Sequence, residues 1–241
     1  MACDLFTTLM LHCDTGDSAV FLDSSPSPFT VTPSGGATVD TAVFKFGNAS
    51  GIFSGTGGYL TAPDNAVWTF GTGNWTIDLQ VNFLTVNSNQ TLISHLDGNG
   101  DQRGWAVTFI NTSGLRLVYS VDGINSVALD QAWTPLIDTW YHVALVRSSG
   151  TIFQFVDGTT LGAPQSIGTS NIFDSTAELM VAGNNPSSPV SFFWGHLDEI
   201  RISSVARWTD NFTAPTGPWC ADSGNNITGG ISVILQTQGW V

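Results

Sequence analysis

The 241-residue chain carries a net charge of −13 and has a pI near 4.1, and almost all of its acid is aspartate. Such a surface repels phosphate backbones and anionic lipid, so direct nucleic-acid binding and membrane binding are excluded as expectations. No apolar run reaches the roughly 18 residues that a spanning helix needs.

Lysine occurs once, at Lys45, and glutamate twice, at Glu178 and Glu199. Gly, Asn, Ser and Thr fill the polar positions and suit turns and strands better than helix faces. With 9 Trp and 15 Phe the chain can build a substantial core, and an all-β sandwich of this length is commonly one domain.

The first residues, Met1-Ala2-Cys3-Asp4, lack a basic n-region and do not read as a secretory signal. Residues 1–8 are taken as an N-terminal arm. Trp75–Phe83 alternates five apolar with four polar residues, the period-two pattern of a strand with one wet face. Shorter alternations follow at Trp105-Val107-Phe109 and Leu115-Leu117-Tyr119-Val121. Trp140–Val146 is apolar on both faces, as a central strand is. Thr151–Val156 precedes the turn signal Asp157-Gly158, and later strands are expected over 178–182 and 192–202. Gly/Asn/Asp/Ser/Pro clusters separate these runs at the short spacing of a sandwich or barrel. A helical turn is expected around Ser203–Trp208. The proline-rich segment 213–218 ends the sandwich, and residues 220–241 form a tail whose run Ile231–Leu235 suits an added edge strand or an assembly contact.

Three cysteines, Cys3, Cys13 and Cys220, without a CxxC pair argue against a disulfide framework or a zinc site. Cys3 or Cys13 could bond to Cys220, with reduced thiols the default expectation. No HxH, HExxH or GxSxG spacing marks a metal or nucleophile site. His142 and His196 lie in apolar strands and are expected to be hydrogen-bonded core histidines. Six Asn-X-Ser/Thr sequons, at Asn48, Asn74, Asn89, Asn111, Asn211 and Asn226, are read as products of composition.

Asp97-Gly98-Asn99-Gly100-Asp101 has the Asp/Asn/Asp spacing of a calcium loop, with Asp97, Asn99 and Asp101 as its ligands. Its twelfth position is Thr108, not the bidentate Glu, so a tight hairpin is the first reading and a calcium site the second. Sugar recognition would use exposed aromatics to stack on pyranose faces. Trp68, Trp133, Trp194 and Trp208 lie near turns or strand ends and are the candidates.

Several segments in order resemble the laminin-G-like, concanavalin A-type jelly roll, in the branch found in phage and bacterial surface proteins. They are Leu9–Asp14, Phe21–Ser25, Lys45-Phe46-Gly47 with Gly58-Tyr59-Leu60, Phe70–Ile77, Gly104-Trp105, Trp140–Ala144, Gly195–Ile202 and Asn211–Thr216. The resemblance covers about residues 9–219 and implies an all-β, two-sheet antiparallel jelly-roll sandwich.

Glycanases of this fold carry paired carboxylates on one strand face, which this chain lacks, so no catalytic residues are expected. The resemblance also implies one structural Ca2+ near the chain ends. By position its ligands would be Asp198, with Asp14 or Asp23. The function expected is a non-enzymatic virion structural protein, as capsid decoration or a tail or fibre component. Its partners would be other virion proteins or copies of itself, with surface glycans bound through the loops. The alternative is a free calcium-dependent carbohydrate-binding module. A chain made in the host cytoplasm with an extracellular-type surface is expected on a virion released by lysis.

Overall fold

The computed structural model describes residues 3–16 and 19–220. The tail segment 221–241, with its strand-like run, lies outside them. Sixteen strands follow in order: β1 Thr7–Leu11, β2 Thr32–Ser34, β3 Thr38–Asp40, β4 Ser50–Ser54, β5 Tyr59–Ala62, β6 Trp75–Phe83, β7 Gln90–Asp97, β8 Gln102–Ile110, β9 Gly114–Gly123, β10 Ser126–Gln131, β11 Trp140–Ser148, β12 Thr151–Val156, β13 Thr159–Thr160, β14 Gln165–Ser166, β15 Leu179–Val181 and β16 Trp194–Ser203. The expected helical turn at Ser203–Trp208 does not form. Among the described residues the one helical element is a 3-10 turn at Ala66–Trp68.

All pairings are antiparallel and close two sheets into a jelly-roll sandwich. One sheet has nine strands, ordered β13-β12-β11-β6-β16-β4-β3, with β14 on β12 and β1 on β16. The other has seven, ordered β10-β9-β8-β7-β15-β5-β2. β16 shares one edge between two partners: its first half pairs with β4 and its second half with β1, so the N-terminal strand and the last strand lie side by side.

Alternation decides what goes inside. Leu79, Val81 and Phe83 of β6, Val143 and Leu145 of β11 and Leu197, Ile200 and Ile202 of β16 face Trp105, Val107, Phe109, Leu115, Leu117 and Leu179 of the other sheet. Each large apolar side chain so buried contributes about 1.5–3 kcal/mol.

The polar face of β6 is not wet, contrary to its period-two pattern. All nine residues of β6 are buried. Its outward side chains Thr76, Asp78, Gln80 and Asn82 lie under two coverings. One is the segment Ser204–Cys220, which packs Trp208 and Phe212 on Ala144, Val146 and Phe155. The other is the loop between β3 and β4, whose Lys45 and Phe46 amides bind Asp198, the register partner of Gln80.

The segment Ser204–Cys220 is a strap fastened at several points. Arg207 donates to Asp4 and to Ser203 Oγ, the Phe212 amide to the Gly158 carbonyl, and the Trp219 amide to Glu199. At its end Cys220 is bonded to Cys3, 217 residues away. This corrects the expectation of reduced thiols. The strap carries Cys220 into a small apolar cluster with Cys3, Met10 and Trp219, a meeting that no local spacing announces. Cys13 is free and buried. Thr7 and Thr8, within the residues 1–8 read as an arm, belong to β1.

Candidate functional site

Two carboxylates hold one loop where β1 and β16 meet. Asp14 follows β1, and its Oδ1 accepts from the amides of Asn48 at 2.9 Å and Ala49 at 3.1 Å. Asp198 Oδ2 accepts from the amides of Lys45 at 2.9 Å and Phe46 at 3.0 Å. Between them Gly47 sits at φ +66°, where a Cβ would lie 2.0 Å from Asp14 Oδ2. The Lys45-Phe46-Gly47 signature thus encodes a turn that offers four amides to two carboxylates and has no room for a side chain.

A bulge in β16, with Glu199 at φ +49°, places a third carboxylate beside them. Glu199 Oε1 lies 2.7 Å from His12 Nδ1, and its Oε2 accepts from the Trp219 amide at 2.6 Å. Burial pushes the Asp198 carboxyl up to about 7, against the Phe46 and Lys45 amides, and the neighbouring Glu199 and Asp14 charges add to the rise. Burial raises Glu199 as well, in spite of His12. Burial works against protonation of His12, yet Glu199 prevails and lifts its pKa. The buried Cys13 thiol is pushed well up by desolvation and is inert.

This cluster fits a hard cation in one respect. Asp198 Oδ1 is buried and has no hydrogen-bond partner, and carboxylate oxygen is the ligand type that Ca2+ prefers. Asp198 and Asp14 are the side chains that would hold it. The set is short, because among the described residues no three His, Cys, Asp or Glu side chains group closely enough to hold a metal. Backbone carbonyls and water would have to complete the roughly six to eight oxygens.

Asp23 has a different role. Its Oδ1 accepts from the Met10 and Ser25 amides, and its Oδ2 from Ser25 Oγ and the Phe29 amide. It staples the Phe21–Ser25 signature to β1 and has no lone pair to spare.

The loop Asp97–Asp101 is the hairpin between β7 and β8. Asp97 is taken up by the Asn99 and Ser187 amides, Asn99 Nδ2 donates to Ser187 Oγ, and the exposed Asp101, at φ +59°, lies 4.0 Å from Arg103 Nη1. The three do not form a chelate.

The four tryptophan candidates separate cleanly. Trp68 is wholly buried, with its Nε1 on the Pro63 carbonyl and its ring tilted against Phe29. Trp133 packs edge-on to Phe83, Phe109 and Tyr141 at the core margin. Trp68 is corrected from a ligand candidate to a core residue, since the apolar ring is worth more between the sheets than in water, while Trp133 is partly buried against that core. Trp208 is half-buried in the strap, stacked on Phe212.

Trp194 is 46% exposed at the start of β16. Its amide donates to Gln90 Oε1 at 2.8 Å and its carbonyl accepts from the Leu84 amide at 3.1 Å, so its backbone is pinned. Gly55, at φ +74°, packs against the root of the indole: a Cβ there would come within 2.7 Å of Trp194 Cβ and 3.2 Å of Cδ2. Opposite in register stands Ser54, whose hydroxyl pairs with that of Thr56 at 3.1 Å, both exposed. Two residues along β16, His196 meets Asp40 at 3.0 Å and lies beside the Trp140 ring. The result is an exposed indole on a pinned backbone, seated against Gly55, with the Ser54 and Thr56 hydroxyls at the end of the adjoining strand. Its support by Gly55 was not foreseen from sequence.

No glutamate pair forms. Glu178 is exposed just before β15 in the seven-stranded sheet, while Glu199 is buried in β16 of the other. His142 and His196 are core histidines bonded to Asp78 and Asp40, as expected.

Comparison with known proteins agrees with this architecture. No curated protein matches the sequence. Among solved structures, the botulinum neurotoxin serotype D binding domain superposes with a TM-score of 0.63 at 12% identity, covering 86% of this chain and 50% of that one. A botulinum neurotoxin type C structure, whose description states that cell entry depends on interaction with two ganglioside molecules, gives 0.62 at 12%, covering 83% and 48%. The chain thus spans about half the length of these neurotoxin chains. Domain 4 of AbnA, an extracellular GH43 arabinanase of Geobacillus stearothermophilus in complex with arabinotriose, gives 0.60 at 18%, covering 83% of this chain and 93% of that domain. These likenesses carry the fold alone. The family model of the concanavalin A-like lectin/glucanases superfamily matches residues 54–211, from the Gly55 turn beneath Trp194 to the strap beside β12, and the chain belongs to that superfamily.

Proposed function

We propose that this domain is a non-catalytic recognition module that binds neutral glycans through Trp194. The observation that carries the reading is the half-exposed indole on a pinned backbone, against its glycine seat. A rigid aromatic plate stacks on a sugar's C–H face at little entropic cost, and the Ser54 and Thr56 hydroxyls stand beside it for hydroxyl groups. Neutral sugars suit a chain of net charge −13, which repels sialylated or uronic ligands. Asp198 and Glu199 are buried and engaged in holding chain segments, and the exposed Glu178 stands apart from them in the other sheet, which supports a binding role over an enzymatic one.

The setting proposed is the surface of a virion, with the domain docked to other virion proteins or to its own copies. The resemblance to phage surface proteins and the acidic, soluble surface support this. A structural calcium ion held by Asp198 and Asp14 is part of the same proposal, supported by the orphaned Asp198 Oδ1.

Labelled protein on an array of neutral oligosaccharides tests the binding claim. Trp194→Ala is expected to lower retention at least tenfold on the glycans that depend on stacking, and unchanged retention would overturn it. Mass spectrometry of purified particles tests the setting. The chain should be found at a copy number fixed by particle symmetry, and its absence would remove the virion role.

A further inference from the structure

A cleft of about 650 Å³ opens at the other end of the sheet face that carries Trp194. Its walls are the first part of the strap, Ser204–Phe212, and, opposite, Asn74 and Ser148 at the adjoining ends of β6 and β11. β16 separates the two places by its whole length, roughly 30 Å at about 3.3 Å per residue. We propose that this cleft is a second ligand site, taking the uncharged, hydroxyl-rich end of a short saccharide.

Size admits such a ligand, since small-molecule sites enclose roughly 300–1,000 Å³. The apolar wall is Trp208 stacked on Phe212, with ring centres 4.0 Å apart and planes 7° from parallel. Phe155 meets Phe212 edge-on from behind, which holds this pair in place.

The polar groups are equally ordered. Asn74 Oδ1 accepts from the Ser149 amide, and Asn211 Oδ1 accepts from both the amide and the hydroxyl of Thr160. Each carboxamide is therefore fixed in orientation, with its Nδ2 left as a donor. Asp210 adds an exposed carboxylate as acceptor. Fixed amide donors, one carboxylate acceptor and a flat apolar wall complement the hydroxyls and C–H face of a sugar.

Anionic ligands are disfavoured by the same inventory. Arg207 lines the cleft, but its Nε is held by Ser203 Oγ and its Nη2 by both oxygens of Asp4. The Arg207 charge is already paired with Asp4, and the exposed Asp210 disfavours a phosphate, sulfate or carboxylate beside it.

The site does not depend on Trp194, so the two can be tested apart. Full-length protein is applied to the neutral oligosaccharide array as wild type, Trp194→Ala, Asp210→Ala and Asp210→Lys. Asp210 is exposed and supports no core contact, so these variants should unfold at the wild-type midpoint. The expected result is that Trp194→Ala keeps a subset of glycans, and that this subset falls at least tenfold in both Asp210 variants. An Asp210→Lys pattern identical to wild type would overturn the cleft as a site. Loss of every signal in Trp194→Ala would also overturn it while leaving the Trp194 plate intact. A wild-type protein that retains nothing would sink both readings.

Discussion

The guanidinium carbon of Arg201 stands 3.4 Å from the centre of the Trp219 indole, while its Nε and Nη2 donate to the two oxygens of Asp78 at 2.9 and 3.0 Å. One cation thus joins the central strand β6 to the strap. Desolvation alone would push the Asp78 carboxyl up, but the Arg201 charge and the bonds from His142 and Arg201 outweigh it, and its pKa lies below the ordinary value. The outer face of the nine-stranded sheet is in effect a second, smaller core built on a paired charge.

Breaking that pair should be costly. Asp78→Ala leaves Arg201 buried without a counter-charge, a change worth about 3–5 kcal/mol, read as a lower urea midpoint at unchanged slope. Because the folded carboxyl titrates below its unfolded value, the Asp78 contribution is present at neutral pH. It should be lost as pH falls below about 4 toward the folded pKa. A loss under 1 kcal/mol in the same titration would contradict the assignment.

The Cys3–Cys220 bond closes nearly the whole chain into a loop, the regime in which a cross-link most restricts the unfolded ensemble. Cys220→Ser, or reduction, should lower stability by about 4 kcal/mol. Hydrogen exchange should quicken over 204–220 before it quickens in β6 or β11. Uniform exchange across the sheet would show that the strap is not fastened there.

Asp198 makes the opposite kind of contribution. Its folded pKa of about 7 lies above the unfolded value of 3.8, so between those pH values the native state binds the extra proton and stability from this group falls as pH rises. Without metal, Asp198→Asn should therefore be more stable than wild type at pH 7.5 and should flatten the slope between pH 4 and 7. If calcium is held there, millimolar Ca2+ should raise the wild-type melting temperature and leave the variant unmoved. Equal responses to Ca2+ would exclude the ion.

Gly55→Ala is a test of the indole seat that leaves Trp194 itself in place. The new Cβ would collide with the Trp194 side chain, and φ +74° is unfavourable for alanine. Retention on Trp194-dependent glycans should fall nearly as far as in Trp194→Ala, with a stability loss of about 1–2 kcal/mol. Full retention would mean that ring orientation does not matter to binding.

Pattern in the chain was enough to name the class. Period-two runs such as Trp75–Phe83, turn clusters between them and the scarcity of helix formers lead directly to an antiparallel sandwich, because side-chain alternation is a local property of extended backbone. The role of Lys45-Phe46-Gly47 and of Asp23 was partly readable in the same way, as ordered signatures whose purpose the folded geometry then supplied. The residues that hold each other across the fold were not. Arg201 and Asp78 are 123 residues apart and Cys3 and Cys220 are 217 apart, and the polar side of β6 looks like any solvated face until a strap covers it. That Trp68 was sealed in the core while Trp194 kept a face to water was likewise decided by tertiary packing. Burial is a property of the assembled layers, and composition along the chain does not carry it.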